Sequence, residues 1–316
     1  MPTSILGLRS PLANILIPNI LTLTLLPSDS DKSPAKSRPS SSPSPSPTSA
    51  QDGPSFRTLA TISILSGTLG LAAMTAVQSL TGYLFLLALF GPTGARSYMT
   101  EFLRADVSAL TPEHLAARAA MARAPRYTIF LALFAPLSAA LPEELLKYLP
   151  ALWLGRGKTQ GQEGRGGQLD KRAAVSAAAA ASLGFALVEL AAYAQAASAT
   201  TAGPPMAVTL LERVFVGLPG HVATAVLAAS RGAGAGYGSG WRDVLGAVAP
   251  SVVYHALFDL ILLGSSAWVG GHVGWVHPEG VRAIVGTLGA CVCVQGVLYA
   301  HTARAWLVWG RKTKRE

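Results

Sequence analysis

Long apolar blocks alternate with short polar stretches along most of the chain. Runs at 57–78, 127–155, 174–197, 206–229, 244–264 and 281–303 are each long enough to cross about 30 Å of hydrocarbon as a helix. Ala and Leu dominate these runs and strand-like alternation is scarce, which favours helices over a closed barrel. The stretch SLTGYLFLLALF (79–90) reads as the end of a long first span, a half-helix, or a short second span across Thr81–Gly82. The pattern predicts an all-α fold, a polytopic transmembrane helical bundle of six to seven spans.

The N-terminal region 1–56 differs from this. ANILIPNILTLTLL, after Arg9, is a modest apolar run, short and interrupted by Pro18, that could belong to a signal or anchor segment. Residues 27–56 are Ser/Pro-rich with almost nothing to bury and are expected to be disordered. A multispan membrane domain is expected over 57–309, with a basic tail at 310–316. Within it, TPEHLAARAAMARAPRY predicts an interface helix beginning at Thr111, with Glu113 in its first turn.

Composition supports the membrane reading. Half of the 316 residues are apolar and 13% are charged, where a soluble domain carries about 25% charged residues. The net charge of +9 does not point to nucleic acid, because no basic groove with interleaved aromatics occurs. Loop 156–173 holds five Lys or Arg, loop 230–243 two, loops 198–205 and 265–280 none, and the tail is strongly basic. The positive-inside rule then places the C-terminus and the two basic loops in the cytosol. Loop 93–126 breaks the alternation, with five Arg on the opposite side.

RGAGAGYGSG (231–240) lacks the preceding strand and the Lys-Ser/Thr ending of a phosphate cradle, so no nucleotide is expected and a flexible turn is. Cys291 and Cys293, two apart on a helix, point in different directions. The Ser/Pro-rich tract ahead of a multispan domain suits an endomembrane such as ER or Golgi.

Ionisable residues interrupt four of the blocks. Glu143, Glu144 and Lys147 sit in the middle of LFAPLSAALPEELLKYLPALWLG, at spacings that allow a salt bridge to either carboxylate. The same residues also read as the ordinary first turn of a helix started by Pro142 at the interface. Glu189 lies between Phe185 and Tyr193, each one turn away. Glu212 and Arg213 precede His221 and Thr224, and His255 stands four residues before Asp259. A shared polar cavity is the simplest way to give all four segments partners. His114, His272 and His277 fall in connecting segments, and His301 near the basic end of the last span.

These residues resemble the PrsW family of glutamic-type intramembrane proteases. PEELLKY matches its Glu-Glu-x-x-Lys signature, and GFALVELAAY its Gly-Phe-x-x-x-Glu segment with a following Tyr. RVFVGLPGHVAT resembles its Arg, His and Thr segment, HALFDL its His-x-x-x-Asp segment, and the four stand in the family's order across 127–262. The family is similar to the CPBP-type membrane proteases, in which His usually stands where this chain has Glu189. Leu190 departs from the Asn common after that Glu in PrsW-type chains.

The resemblance implies an intramembrane endopeptidase acting on a membrane-anchored or transmembrane protein among membrane lipids. A glutamate-activated water then needs a base, oxyanion stabilisation and a proton donor. Glu144 is favoured as the base, helped by His221, with Glu143 paired to Lys147, but the sequence does not decide which of the two glutamates is the base. His255 is expected to serve the oxyanion or leaving group, with Glu189 bonded to His221 or Lys147. Asp259, four residues on, is not expected to reach the His255 ring. Lys147, Phe185, Tyr193, Arg213, Thr224 and Asp259 are supporting residues, Asp259 by orienting its helix neighbourhood.

No cofactor is expected in this reading. The alternative is zinc on His221, His255, Glu144 or Glu189, and Asp259, although the His-Glu-x-x-His spacing is missing. No Gly-x-Ser-x-Gly elbow occurs. A proton-coupled carrier or a non-catalytic scaffold would also accommodate buried Glu, Lys and His.

Overall fold

The computed structural model describes residues 54–104, 110–156, 166–199, 206–235, 237, 240–274, 278 and 280–312. The expected disordered tract and apolar run of the N-terminal region fall almost wholly outside the described residues, as do His277 and the end of the basic tail. Among the described residues every regular element is helical.

Six helices are long and apolar enough to span a membrane: α1 (Phe56–Phe102), α3 (Pro125–Gly155), α4 (Lys171–Gln195), α5 (Val208–Gly234), α6 (Trp241–Gly270) and α7 (Val281–Trp309). Between the first two lies α2 (Pro112–Arg123). The protein is a multi-pass integral membrane protein.

The stretch 79–90 belongs to the first span. Thr81 does not interrupt the helix, because its hydroxyl donates to the Val77 carbonyl at 2.7 Å. Gly82 stays helical and lets the Phe134 ring close on it, where a Cβ would lie 2.9 Å away. The break comes at Gly91, whose φ of 69° with Pro92 behind it starts a second limb.

α2 begins where the sequence predicts, with the Thr111 side chain capping the amide of His114 and Glu113 in the first turn. His114 therefore sits in a helix rather than a loop. The arginines of this segment make structural contacts. Arg118 is buried, pairs with the Glu101 carboxylate and donates to the Val273 carbonyl at 2.7 Å. Arg104 pairs with Glu101 at 2.8 Å, and Arg123 and Arg126 donate to the Trp268 and Leu89 carbonyls at 3.4 Å. These contacts join α2 and the start of α3 to neighbouring segments.

Two further devices shape the bundle. α1 crosses α4 at paired glycines: a Cβ on Gly184 would lie 1.9 Å from the Ser63 carbonyl oxygen, and one on Gly67 would lie 2.5 Å from that of Gly184. Small residues at such a crossing let backbones touch. Wide π-helical turns at Phe134–Ala140 and Arg213–Gly217 immediately precede Pro142 and Pro219. A proline lacks the N–H and crowds the carbonyl four residues back, and a widened turn accommodates both defects. Each proline is followed within two residues by ionisable side chains, Glu143 and Glu144 in one case and His221 in the other.

The glycine-rich turn is less loose than its composition predicts. Tyr237, at φ 49°, is buried, stacks near Tyr148 and donates its hydroxyl to the Ala229 carbonyl at 3.1 Å.

Candidate active site

Pro142 does begin a fresh α-helical segment, but inside the bundle. Glu143, Glu144 and Lys147 are only 3%, 0% and 0% exposed, so the interfacial reading of these residues does not hold. An ammonium has three donors and no acceptor; Lys147 is hydrogen-bonded to Glu144 and His221 and ion-paired with Glu143. Its Nζ lies 2.6 Å from Glu143 Oε1, 3.0 Å from Glu144 Oε1 and 2.7 Å from His221 Nδ1. Lysine can only donate, so His221 Nδ1 accepts. Its Nε2 then carries the proton and donates to Glu189 Oε2 at 2.9 Å. One lysine thereby fixes the tautomer of a histidine on α5 and connects it to α4.

Glu144 gathers a second set of bonds on one oxygen. Oε1 accepts from Lys147, from Thr224 Oγ at 3.1 Å and from His255 Nδ1 at 2.9 Å. Thr224 is itself held to the His221 carbonyl at 2.9 Å, and Ser251 on α6 donates to the Thr224 carbonyl at 2.7 Å. Glu144 thus joins α3, α5 and α6, and it sets His255 with the proton on Nδ1 and Nε2 turned away. That Nε2 lies 3.7 Å from Glu143 Oε2 and 3.5 Å from Asp259 Oδ2. Asp259 comes closer to the ring than its helical spacing predicts. The imidazoles of His221 and His255 meet edge to face, 5.4 Å between centroids.

Beside this network is a cavity of about 330 Å³. Glu143, Glu189, Tyr193, Arg213, His221, Thr224, His255 and Asp259 line it, with apolar walls that include Phe134, Phe258 and Leu262, and it reaches Phe102 and Gly274. Glu144, Lys147 and Phe185 do not line it. Phe185 packs behind, its ring 5.5 Å from Lys147 Nζ and 6.3 Å from the His221 ring. The Arg213 guanidinium stacks 3.7 Å over Tyr193, with Nε 3.3 Å from Glu212 Oε2. The two neighbouring glutamates therefore differ: Glu143 faces the cavity and Glu144 is sealed behind it. Glu144, the residue favoured as base from sequence, is thus the one that does not line the cavity.

Sequence reasoning missed Gln78, Tyr254 and Gln295, which also line the cavity. Gln295 is a buried amide on the last span whose Oε1 has no hydrogen-bond partner among the described residues. It reaches the site because residue 220 is glycine; a Cβ there would lie 2.2 Å from Gln295 Nε2. The available signal was a lone amide between Cys293 and Tyr299. His301, by contrast, lies outside the cavity lining and meets the Tyr254 hydroxyl at 3.3 Å. Cys291 is buried and Cys293 exposed, both as free thiols.

The donor set also bears on a metal. Glu143, His221 and His255 each offer one ligand atom, all within 4.8 Å of one another. Two imidazoles and a carboxylate match a zinc site that keeps a position open. The Nδ1–H bond from His255 to Glu144 is the outer contact that orients such a ligand. The residues match a divalent ion in type and spacing, but His221 ligates one only by giving up its bond to Lys147 or its bond to Glu189.

No curated protein and no solved structure matches the chain. The sequence profile of the family described as PrsW family intramembrane metalloprotease matches residues 82–297, more than half of the chain, including all four polar segments of the site. The chain belongs to the PrsW family of intramembrane proteases.

Proposed function

We propose that the protein is an endopeptidase that hydrolyses a peptide bond of a membrane-anchored or transmembrane protein, with water activated at Glu143. The observation that carries this is the difference between the two oxygens of that carboxylate. Oε1 is held by Lys147, while Oε2 lies toward His255 Nε2 at the cavity. A fixed carboxylate with one oxygen open to a cavity is placed to take a proton from water.

In the proposed reaction Glu143 Oε2 accepts that proton, the hydroxide oxygen bonds the scissile carbonyl carbon, and the carbonyl oxygen takes up negative charge. With Nδ1–H held on Glu144, His255 in its imidazolium form also carries Nε2–H, which donates to this oxyanion without transferring its proton. Glu143 then returns the proton to the leaving amine as the C–N bond breaks. Glu144, Thr224 and Lys147 position the two histidines and do not touch the substrate. Glu189 orients His221.

An extended substrate segment in this setting needs partners for its backbone. The unpaired Gln295 Oε1 offers an acceptor, and Phe134, Phe258 and Leu262 offer apolar contact for side chains. The six spans put both ends of the bundle on one side, and the basic loops and tail support a cytosolic placement of that side.

The donor set and the family description favour a second reading. A divalent ion held by Glu143, His221 and His255 would supply Lewis acidity and a bound water of lowered pKa. Lys147 speaks for the first reading, because its ammonium already supplies positive charge to two of those three residues.

The test is cleavage of transmembrane-segment reporters by purified protein in liposomes, together with its metal content measured by mass spectrometry. Cleavage lost in Glu143→Gln, with less than stoichiometric metal in active wild type, is expected. One tightly held ion per chain, lost in His255→Ala, would replace the first reading with the second. Undiminished cleavage by Glu143→Gln would overturn both.

A further inference from the structure

At the basic end of the bundle, between α5 and α7, lies a second pocket of about 230 Å³, separate from the candidate active site. Ser230, Arg231, His301, Arg304 and Trp309 supply its polar lining, and among the described residues no carboxylate contributes. Two of these side chains are buried donors left without a use. Ser230 Oγ and Trp309 Nε1 have no hydrogen-bond partner among the described residues, although their residues are only 2% and 6% exposed.

A serine in a helix ordinarily returns its hydroxyl to a carbonyl one turn back, and a buried indole N–H usually finds an acceptor. Leaving such groups buried and unpaired is unfavourable. Two orphaned donors lining one pocket point to an acceptor that arrives from outside the chain.

The charges around them define that acceptor. Arg231 is fixed by two bonds to the Gly246 carbonyl, at 3.3 and 3.1 Å, so its cation stays at the rim. Arg304 is exposed at the opposite rim, one helical turn before Val308. Two guanidinium groups, a hydroxyl and an indole N–H, with no acid among them, suit an anion with several oxygens, and a phosphate has that form.

On α7 Trp306, Leu307 and Val308 are exposed apolar residues beside the pocket, so its outer wall faces lipid. In sequence, the basic loop that starts at Ser230 and the basic residues after Trp309 adjoin this pocket, and such residues attract anionic headgroups.

We propose that this pocket binds the phosphate of an anionic phospholipid. The bound headgroup pins α5, which carries His221, against α7, which carries Gln295. The proposal does not depend on the catalytic assignment.

The test titrates the purified full-length protein with dioctanoyl phosphatidic acid, dioctanoyl phosphatidylcholine and inorganic phosphate, following bound ligand by native mass spectrometry. Saturable binding of one phosphatidic acid is expected, with phosphatidylcholine and inorganic phosphate far weaker. Trp309→Phe keeps the ring and removes the donor, and Arg304→Gln changes an exposed side chain. Each is expected to weaken phosphatidic acid roughly tenfold, as loss of a bond to a charged group does. Arg304→Gln carries the test if Trp309→Phe fails to fold. Equal binding by wild type and the folded variants would overturn the proposal, as would equal binding of phosphatidylcholine. Inorganic phosphate binding as tightly as the lipid would overturn the lipid assignment.

Discussion

Arg118 and Lys147 are both buried cations paired with glutamate, at different places in the same bundle. Arg118 fastens α2 to the end of α1 through Glu101 and to the segment after α6 through the Val273 carbonyl. Its glutamate is also held by Arg104 at both oxygens, 2.9 and 2.8 Å away, and none of the three residues lines the central cavity. Lys147 sits near the middle of its helix and joins three acceptors, two of whose residues, Glu143 and His221, do line it. A buried charge in a membrane bundle is therefore no sign of chemistry by itself. What separates the two clusters is whether a carboxylate keeps an oxygen on open space after its structural partners are satisfied.

Removing the cations should show the difference in size. Lys147→Met leaves two buried carboxylates without their counter-charge and should cost about 3–5 kcal/mol, the range for breaking a buried pair. Thermal unfolding in detergent would read this as a large fall in midpoint, with cleavage lost as well. Arg118→Met leaves Glu101 with Arg104 and should cost only about 1–3 kcal/mol, with cleavage by the folded fraction retained. Equal losses of stability and activity from both substitutions would erase the comparison.

A smaller effect is expected where packing alone is at stake. Gly184→Ala pushes a methyl into the Ser63 carbonyl at the α1–α4 crossing and should destabilise by about 1–3 kcal/mol. Its Km for a reporter peptide should be unchanged, because neither Gly184 nor Ser63 borders the cavity.

The spans were legible because apolar blocks of that length have one use in a chain of this composition, and each predicted run lies within or closely matches an observed helix. The ambiguity at 79–90 was real: Thr81–Gly82 has turn composition, and only the contact with Phe134 shows why the glycine is there. The polar segments were legible from spacing, and the cavity gathers eight of the eleven residues singled out. Which glutamate faces it was not legible. Adjacent residues on a helix differ by about 100° in direction, and which direction is inward depends on α5 and α6, which sequence does not place. Gln295 stayed hidden for a similar reason, since a single amide on an apolar span carries no pattern until Gly220 is seen to admit it.

The arrangement of Glu143 and Glu144 is the central claim, and single-turnover cleavage in liposomes by Glu143→Gln and Glu144→Gln tests it most directly, with helical content and melting followed in parallel. Glu143→Gln should slow the reaction by about 10²–10⁴-fold, as loss of a general base does. Glu144→Gln keeps a carbonyl to accept from His255 Nδ1 and should slow it by roughly 10–100-fold, as loss of an orienting partner does. Folded Glu143→Gln that cleaves near the wild-type rate, while folded Glu144→Gln is inactive, would contradict the account and return the base to Glu144.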